Sequence, residues 1–139
     1  MGDLSVLVQR LLRAPPQRVF DAWTQPELLL QWWGPEGVAL LEAVVELEVG
    51  GAIELCHSLP DGATLWMRGR FEEVESPHRL VYSWTMGEGP EERVTVRFLE
   101  EDSGTRVVVE HVRIQSQQAR DSHEAGWLGC LSGLERLLL

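Results

Sequence analysis

The chain has 139 residues, 44% of them hydrophobic and 24% charged, which fits one globular domain over residues 1–139 built on a single core. Its formal net charge of −10 denies it the positive potential that nucleic acids and anionic membrane surfaces require. No apolar run approaches the roughly 20 residues of a membrane span, no basic-then-apolar leader opens the chain, and the two cysteines, Cys56 and Cys130, make neither a disulfide framework nor a metal knuckle, so a cytoplasmic protein is expected.

Leu4, Val6 and Val8 alternate and predict a first strand that ends by Ala14. Pro16 then suits a first helical turn, where its missing N–H costs nothing, and Val19, Phe20 and Trp23 give that short helix one apolar face. Thr24 followed three residues later by Glu27 reads as a capping box for a second short helix, stopped by Gly34-Pro35. A mixed apolar stretch over 38–48 ends at the Gly50-Gly51 turn and predicts a strand whose exposed edge could pair in a homodimer; monomer and homodimer both stay open. Four further sets alternate: Ile53, Leu55 and His57; Leu65, Met67, Gly69 and Phe71; Leu80, Tyr82, Trp84 and Met86; Val94, Val96 and Phe98. Pro60-Asp61-Gly62 and Asp102-Ser103-Gly104 supply turns, and Val107, Val109 and His111 form the last strand.

From Ser116 the period changes to that of a helix, with Trp127, Cys130, Leu131, Leu134 and Leu138 in one stripe. One strand, two short helices, six strands and a long helix make an α+β chain, most simply packed as an antiparallel sheet curled around the C-terminal helix.

The residues Arg10, Ala14-Pro15, Val19-Phe20, Ala22-Trp23-Thr24, Pro26 and Trp32-Trp33-Gly34-Pro35 also occur in a recognisable order. So do Gly50-Gly51, Asp61-Gly62, Gly69, Glu73-Val74, Pro77, Arg79-Leu80-Val81, Trp84, Val94-Thr95-Val96, Phe98, Gly104-Thr105, His123 and Gly126-Trp127. In that order and spacing the chain resembles the bacterial Aha1 C-terminal-domain-like branch of the START/Bet v 1-like (SRPBCC) superfamily. The resemblance implies a helix-grip fold, in which a seven-stranded antiparallel sheet wraps a long helix and leaves a cavity between them. Chemistry does not follow from it, because one fold hosts many functions.

For such a cavity the concave-face alternation nominates His57, Met67, Phe71, Tyr82, Trp84, Val96 and His111, and the helix adds His123 and Trp127. His123 stands one turn before Trp127 and is the foremost candidate for a ligand contact; each of these residues would equally serve as core. Trp32 and Trp33 would gate the cavity mouth or anchor the second short helix. Gly126, Gly129 and Gly133 on one flank of the last helix would either leave space or permit close packing.

His57, His111 and His123 show no metal-binding spacing, so no metal is expected unless the three converge across the cavity, and no cofactor is implied. No nucleophile elbow or phosphate loop is present, and Cys56 and Cys130 read as small buried hydrophobes. The carboxylate runs Glu72-Glu73-Val74-Glu75, Glu91-Glu92 and Glu100-Glu101-Asp102 read as solvated surface charge. The expected function is binding of a hydrophobic or aromatic small molecule. One alternative is a cyclase- or hydrolase-type enzyme, as in some relatives of the superfamily, with His57, Tyr82 and His123 as acid–base groups. Another is an Hsp90-type chaperone partner, disfavoured because the chain begins directly with the C-terminal-type domain.

Overall fold

The computed structural model describes residues 3–34 and 37–139. Strand β1 (Leu4–Leu12) is followed by helices α1 (Pro16–Thr24) and α2 (Pro26–Trp32). Then come β2 (Ala39–Val45), β3 (Ala52–Ser58), β4 (Thr64–Glu75), β5 (Arg79–Met86), β6 (Glu92–Glu101) and β7 (Gly104–Ile114), and helix α3 (Gln117–Leu137) closes the chain. The strands form one sheet in the order β1-β7-β6-β5-β4-β3-β2, antiparallel at every pairing. This is the seven-stranded α+β helix-grip architecture.

β2 to β7 are joined as successive neighbours, while β1 pairs with β7 at the far edge. The α1–α2 segment must therefore carry the chain from one edge of the sheet to the other. That crossing explains the apolar, Trp-rich composition of so short a stretch: Val19, Phe20, Trp23, Leu29 and Trp32 are all buried. Register aligns the inward positions across strands, with Tyr82 opposite Val94 and Val96 opposite Val109, so period-2 patterning on each strand becomes one apolar face. α3 starts at the Ser116 N-cap, whose Oγ accepts from the Ala119 N–H at 3.1 Å, and buries Trp127, Cys130, Leu131 and Leu134.

Three local expectations change. The first strand stops at Leu12, with Ala14 tied instead to the sheet through the Thr105 hydroxyl, which donates to its carbonyl at 2.7 Å. The stretch over 38–48 is a strand only from Ala39 to Val45. Thr24 does not cap α2: it ends α1, and its hydroxyl back-bonds to the Phe20 carbonyl at 2.9 Å. Gln25 holds the N-cap position without a side-chain bond, and Pro26 at N1 removes one of the donors a cap would have served. Pro35 lies outside the described residues. Gly34 has φ +124°, and a Cβ there would come within 2.4 Å of the Val38 carbonyl oxygen, so this position after α2 accepts only glycine.

Gly133 meets the same end of α2 from the other side. An added Cβ would lie 2.4 Å from the Trp32 carbonyl oxygen, so the missing side chain is what lets α3 press against α2. Gly126 is different: nothing lies within 4 Å of a Cβ built there. Close packing and open space are both realised, two turns apart on one helix. No helix of the described residues is long and apolar enough to cross a membrane.

Candidate functional site

Gly126 opens onto a cavity of about 300 Å³ between α3 and the β3–β5 part of the sheet. Its walls are the indoles of Trp33, Trp84 and Trp127, the imidazoles of His57 and His123, and aliphatic or sulfur-bearing side chains including Leu65 and Met86. Five of the six tryptophans gather here. Trp33 lies 5.3 Å from Trp127 and 6.2 Å from Trp84, centroid to centroid, and Trp23 and Trp32 pack against it edge-on and tilted. Trp66 stands apart under the Arg68 guanidinium.

Of the nine nominated residues, His57, Trp84, His123 and Trp127 line this cavity. Met67, Phe71, Tyr82, Val96 and His111 are buried in the core outside its wall. Burial pushes the Tyr82 phenol well above its ordinary value, and its oxygen accepts from the Trp23 indole at 3.4 Å. Trp32 is an anchor, its Nε1–H donating to the Ala22 carbonyl at 2.8 Å, whereas Trp33 belongs to the cavity.

Two histidines are locked by indole donors. Trp33 Nε1 donates to His57 Nε2 at 3.0 Å. An indole N–H can only donate, so Nε2 is bare, and the His57 proton sits on Nδ1, 3.2 Å from the Leu65 carbonyl oxygen. Burial holds the His57 pKa below its usual value against the Leu65 and Leu55 carbonyls. Trp127 Nε1 likewise donates to His111 Nδ1 at 3.0 Å, which places the His111 proton on Nε2, 2.8 Å from Glu92 Oε1. Desolvation, reinforced by His123, drives the fully buried His111 down to about 3. Both rings are neutral and have both nitrogens engaged.

Glu92 corrects the expectation that its run is solvated surface charge. It is 5% exposed, and burial pushes its carboxyl up to about 7. Its Oε1 also lies 3.0 Å from His123 Nε2. The His111 and His123 rings stack at 4.3 Å with 23° between their planes, so the oxygen that lies in line with one N–H sits off the line of the other. Burial lowers the His123 pKa. His123 thus lines the cavity with its Nε2 beside Glu92. Glu92 was legible after all: it shares the two-residue period of Val94, Val96 and Phe98, which points a carboxylate inward.

Ligand atoms of Glu92, His111 and His123 lie within 4.8 Å of one another, a spacing that a metal ion could bridge, while His57 is not in the group. The hydrogen bonds oppose that use. A metal-ligating histidine donates its second N–H outward, but His111 Nδ1 accepts from Trp127, so ligation through Nε2 would require an imidazolate or the loss of that bond. As built, the cluster holds protons. The Trp84 ring stands in the cavity wall, while its Nε1–H is enclosed by protein and unpartnered among the described residues.

The family model described as activator of Hsp90 ATPase homolog 1-like protein matches residues 13–139. The chain belongs to this AHSA1-like family. Solved structures of similar fold span nearly the whole chain. A Chromobacterium violaceum protein superposes with TM-score 0.89 at 24% identity over 96% of both chains. An AHSA1 protein from Silicibacter pomeroyi gives 0.86 at 22% over 97% of both, and the solution structure of an AHSA1-like protein from Aeromonas hydrophila gives 0.78 at 26%, covering 96% of this chain and 90% of that one. No curated protein matches the chain. AHSA1-like membership supports small-ligand binding as a general property of the superfamily's fold, and the residues that would do it are a matter for this chain's own cavity.

Proposed function

We propose that the protein binds a small, neutral, hydrophobic or aromatic molecule in the cavity between β3–β5 and α3, against Trp33, Trp84, His123 and Trp127. The observation that carries this reading is an apolar, indole-walled space beside α3, open where Gly126 lacks a side chain. A volume of about 300 Å³ sits at the small end of ligand pockets, and aromatic walls with a few placed polar groups are their usual composition. Neutrality follows from the lining, whose apolar walls cannot replace an ion's hydration, and the net charge of −10 further disfavours anions.

The test is titration with β-naphthol and β-tetralone, followed by quenching of tryptophan fluorescence. Saturable quenching by the wild type, lost in Gly126→Leu with the thermal midpoint retained, is the expected result. Quenching that survives in Gly126→Leu would put the ligand elsewhere and sink the assignment.

A further inference from the structure

We propose that filling the cavity draws a proton from solvent onto the Glu92–His111–His123 cluster behind its wall, so that the guest is held most tightly in mildly acidic solution. This rests on the binding reading above and adds to it control by pH.

The placement of the cluster carries the proposal. Of its three side chains only His123 lines the cavity, with Nε2 lying 3.0 Å from Glu92 Oε1. Glu92 on β6 also stands directly opposite Trp84 on β5, and Trp84 is cavity wall too. Buried Glu92 is therefore one side chain away from the cavity on two sides. Behind it, His111 Nε2–H donates to the same oxygen at 2.8 Å, and the indole of Trp127, a third piece of the wall, donates to His111 Nδ1 at 3.0 Å.

The groups that face Glu92 give its carboxylate no permanent counter-charge among the described residues. β7 presents His111, α3 presents His123, and β5 presents the uncharged Trp84. Nearby arginines are engaged elsewhere, Arg93 with Glu72 at 2.9 Å and Arg120 with Glu124 at 3.1 Å, and Glu91 is exposed.

An apolar guest lowers the polarity of the space beside His123 and Trp84, and any net charge on the cluster is then stabilised less. Three protonation states compete. With Glu92 ionised and His123 neutral, the cluster is negative. With one proton between them it is neutral, and with a proton on each it is positive. His111, at about 3, stays neutral throughout. The guest therefore favours the middle state. Glu92 titrates at about 7 and burial holds His123 below its ordinary value, which puts that state in the mildly acidic range. At higher pH, binding takes one proton from water onto a Glu92 oxygen, and no bond of the guest changes. Affinity then falls as pH rises through about 7, by at most about tenfold per pH unit for one proton. In more acidic solution it falls again as His123 gains its charge.

β-Tetralone, which has no group that ionises in this range, tests the coupling through quenching of tryptophan fluorescence. From about pH 6 to about pH 8.5 the wild-type Kd should rise about 5-fold or more, the lower end of couplings between linked sites. Calorimetric titration at about pH 7.5, in phosphate and in Tris, should show from the difference in heats that protons are taken up with the guest. Glu92→Gln should keep one Kd across the range and take up no proton, readouts that a merely structural role would not move. A wild-type Kd independent of pH with no proton uptake, or a pH dependence that survives in Glu92→Gln, overturns the coupling while the binding reading stands. Should Glu92→Gln fail to fold, wild-type proton uptake decides alone, its presence supporting the coupling and its absence overturning it. If β-tetralone quenches at no pH, both readings fall.

Discussion

Gly126 and Gly133 sit two turns apart on α3, and substituting each with alanine separates the open part of the molecule from the closed part. In mid-helix, glycine costs about 1 kcal/mol relative to alanine, through backbone entropy lost on folding. At Gly126 a Cβ meets nothing within 4 Å, so Gly126→Ala should recover most of that amount. For a chain of 139 residues, about 1 kcal/mol corresponds to a rise in Tm of roughly 4 °C. At Gly133 the same methyl would lie 2.4 Å from the Trp32 carbonyl oxygen, a backbone atom at the end of α2 that cannot swing aside. The propensity gain is then outweighed by displacement of α2 from α3, and Gly133→Ala should be destabilised by about 1–3 kcal/mol, as for other overpacked sites. Differential scanning calorimetry of the three proteins measures both. A Gly126→Ala protein that melts below the wild type would mean that the cavity wall is closed at this point, and the argument for open space beside α3 would fail.

Trp127→Phe keeps most of the ring but leaves buried His111 Nδ1 without its donor, so urea denaturation should show a loss of about 1–3 kcal/mol at an unchanged m-value. For Glu92 the sign follows from a folded pKa of about 7 lying above the ordinary carboxyl value of about 4.3. The folded chain holds a proton that the unfolded chain releases in this window, so this contribution to stability is complete below about pH 4 and is lost as pH rises through about 7. The stability of Glu92→Gln relative to wild type should therefore improve by up to about 3 kcal/mol between those limits, and a difference independent of pH would refute the burial argument. Cys130, whose thiol burial pushes up to about 12, should resist iodoacetamide in the native protein and react on unfolding, as read by peptide mass mapping.

The architecture was readable in the chain because its signals are local: two-residue alternation for the strands, prolines at the first turns of α1 and α2, a serine at the start of α3. The capping box at Thr24 failed because Pro26 competes for the same few residues, and a proline at N1 sets a helix start more firmly than a hydroxyl two residues earlier. The cavity was harder. Alternation says which residues face inward but not which of them meet each other, so Met67, Phe71 and Val96 could not be told from Trp84 before the curvature of the sheet was known. Trp33 with His57 and Trp127 with His111 pair side chains 24 and 16 positions apart, contacts with no sequence period. Glu92 was masked by its neighbour Glu91, although its phase with Val94 and Val96 marked it as inward-facing.

The gathering of five indoles around one space also gives the molecule an optical property. Trp23, Trp32, Trp33, Trp84 and Trp127 are linked ring to ring at 5.0–6.2 Å, close enough for excitation absorbed by any of them to migrate among all. Emission from the protein is then dominated by whichever ring of the cluster lies lowest in energy, with Trp66 on its own under Arg68 as a separate emitter. A guest touching only one wall would dim the whole ensemble, so any occupancy of the cavity would be readable without an added dye.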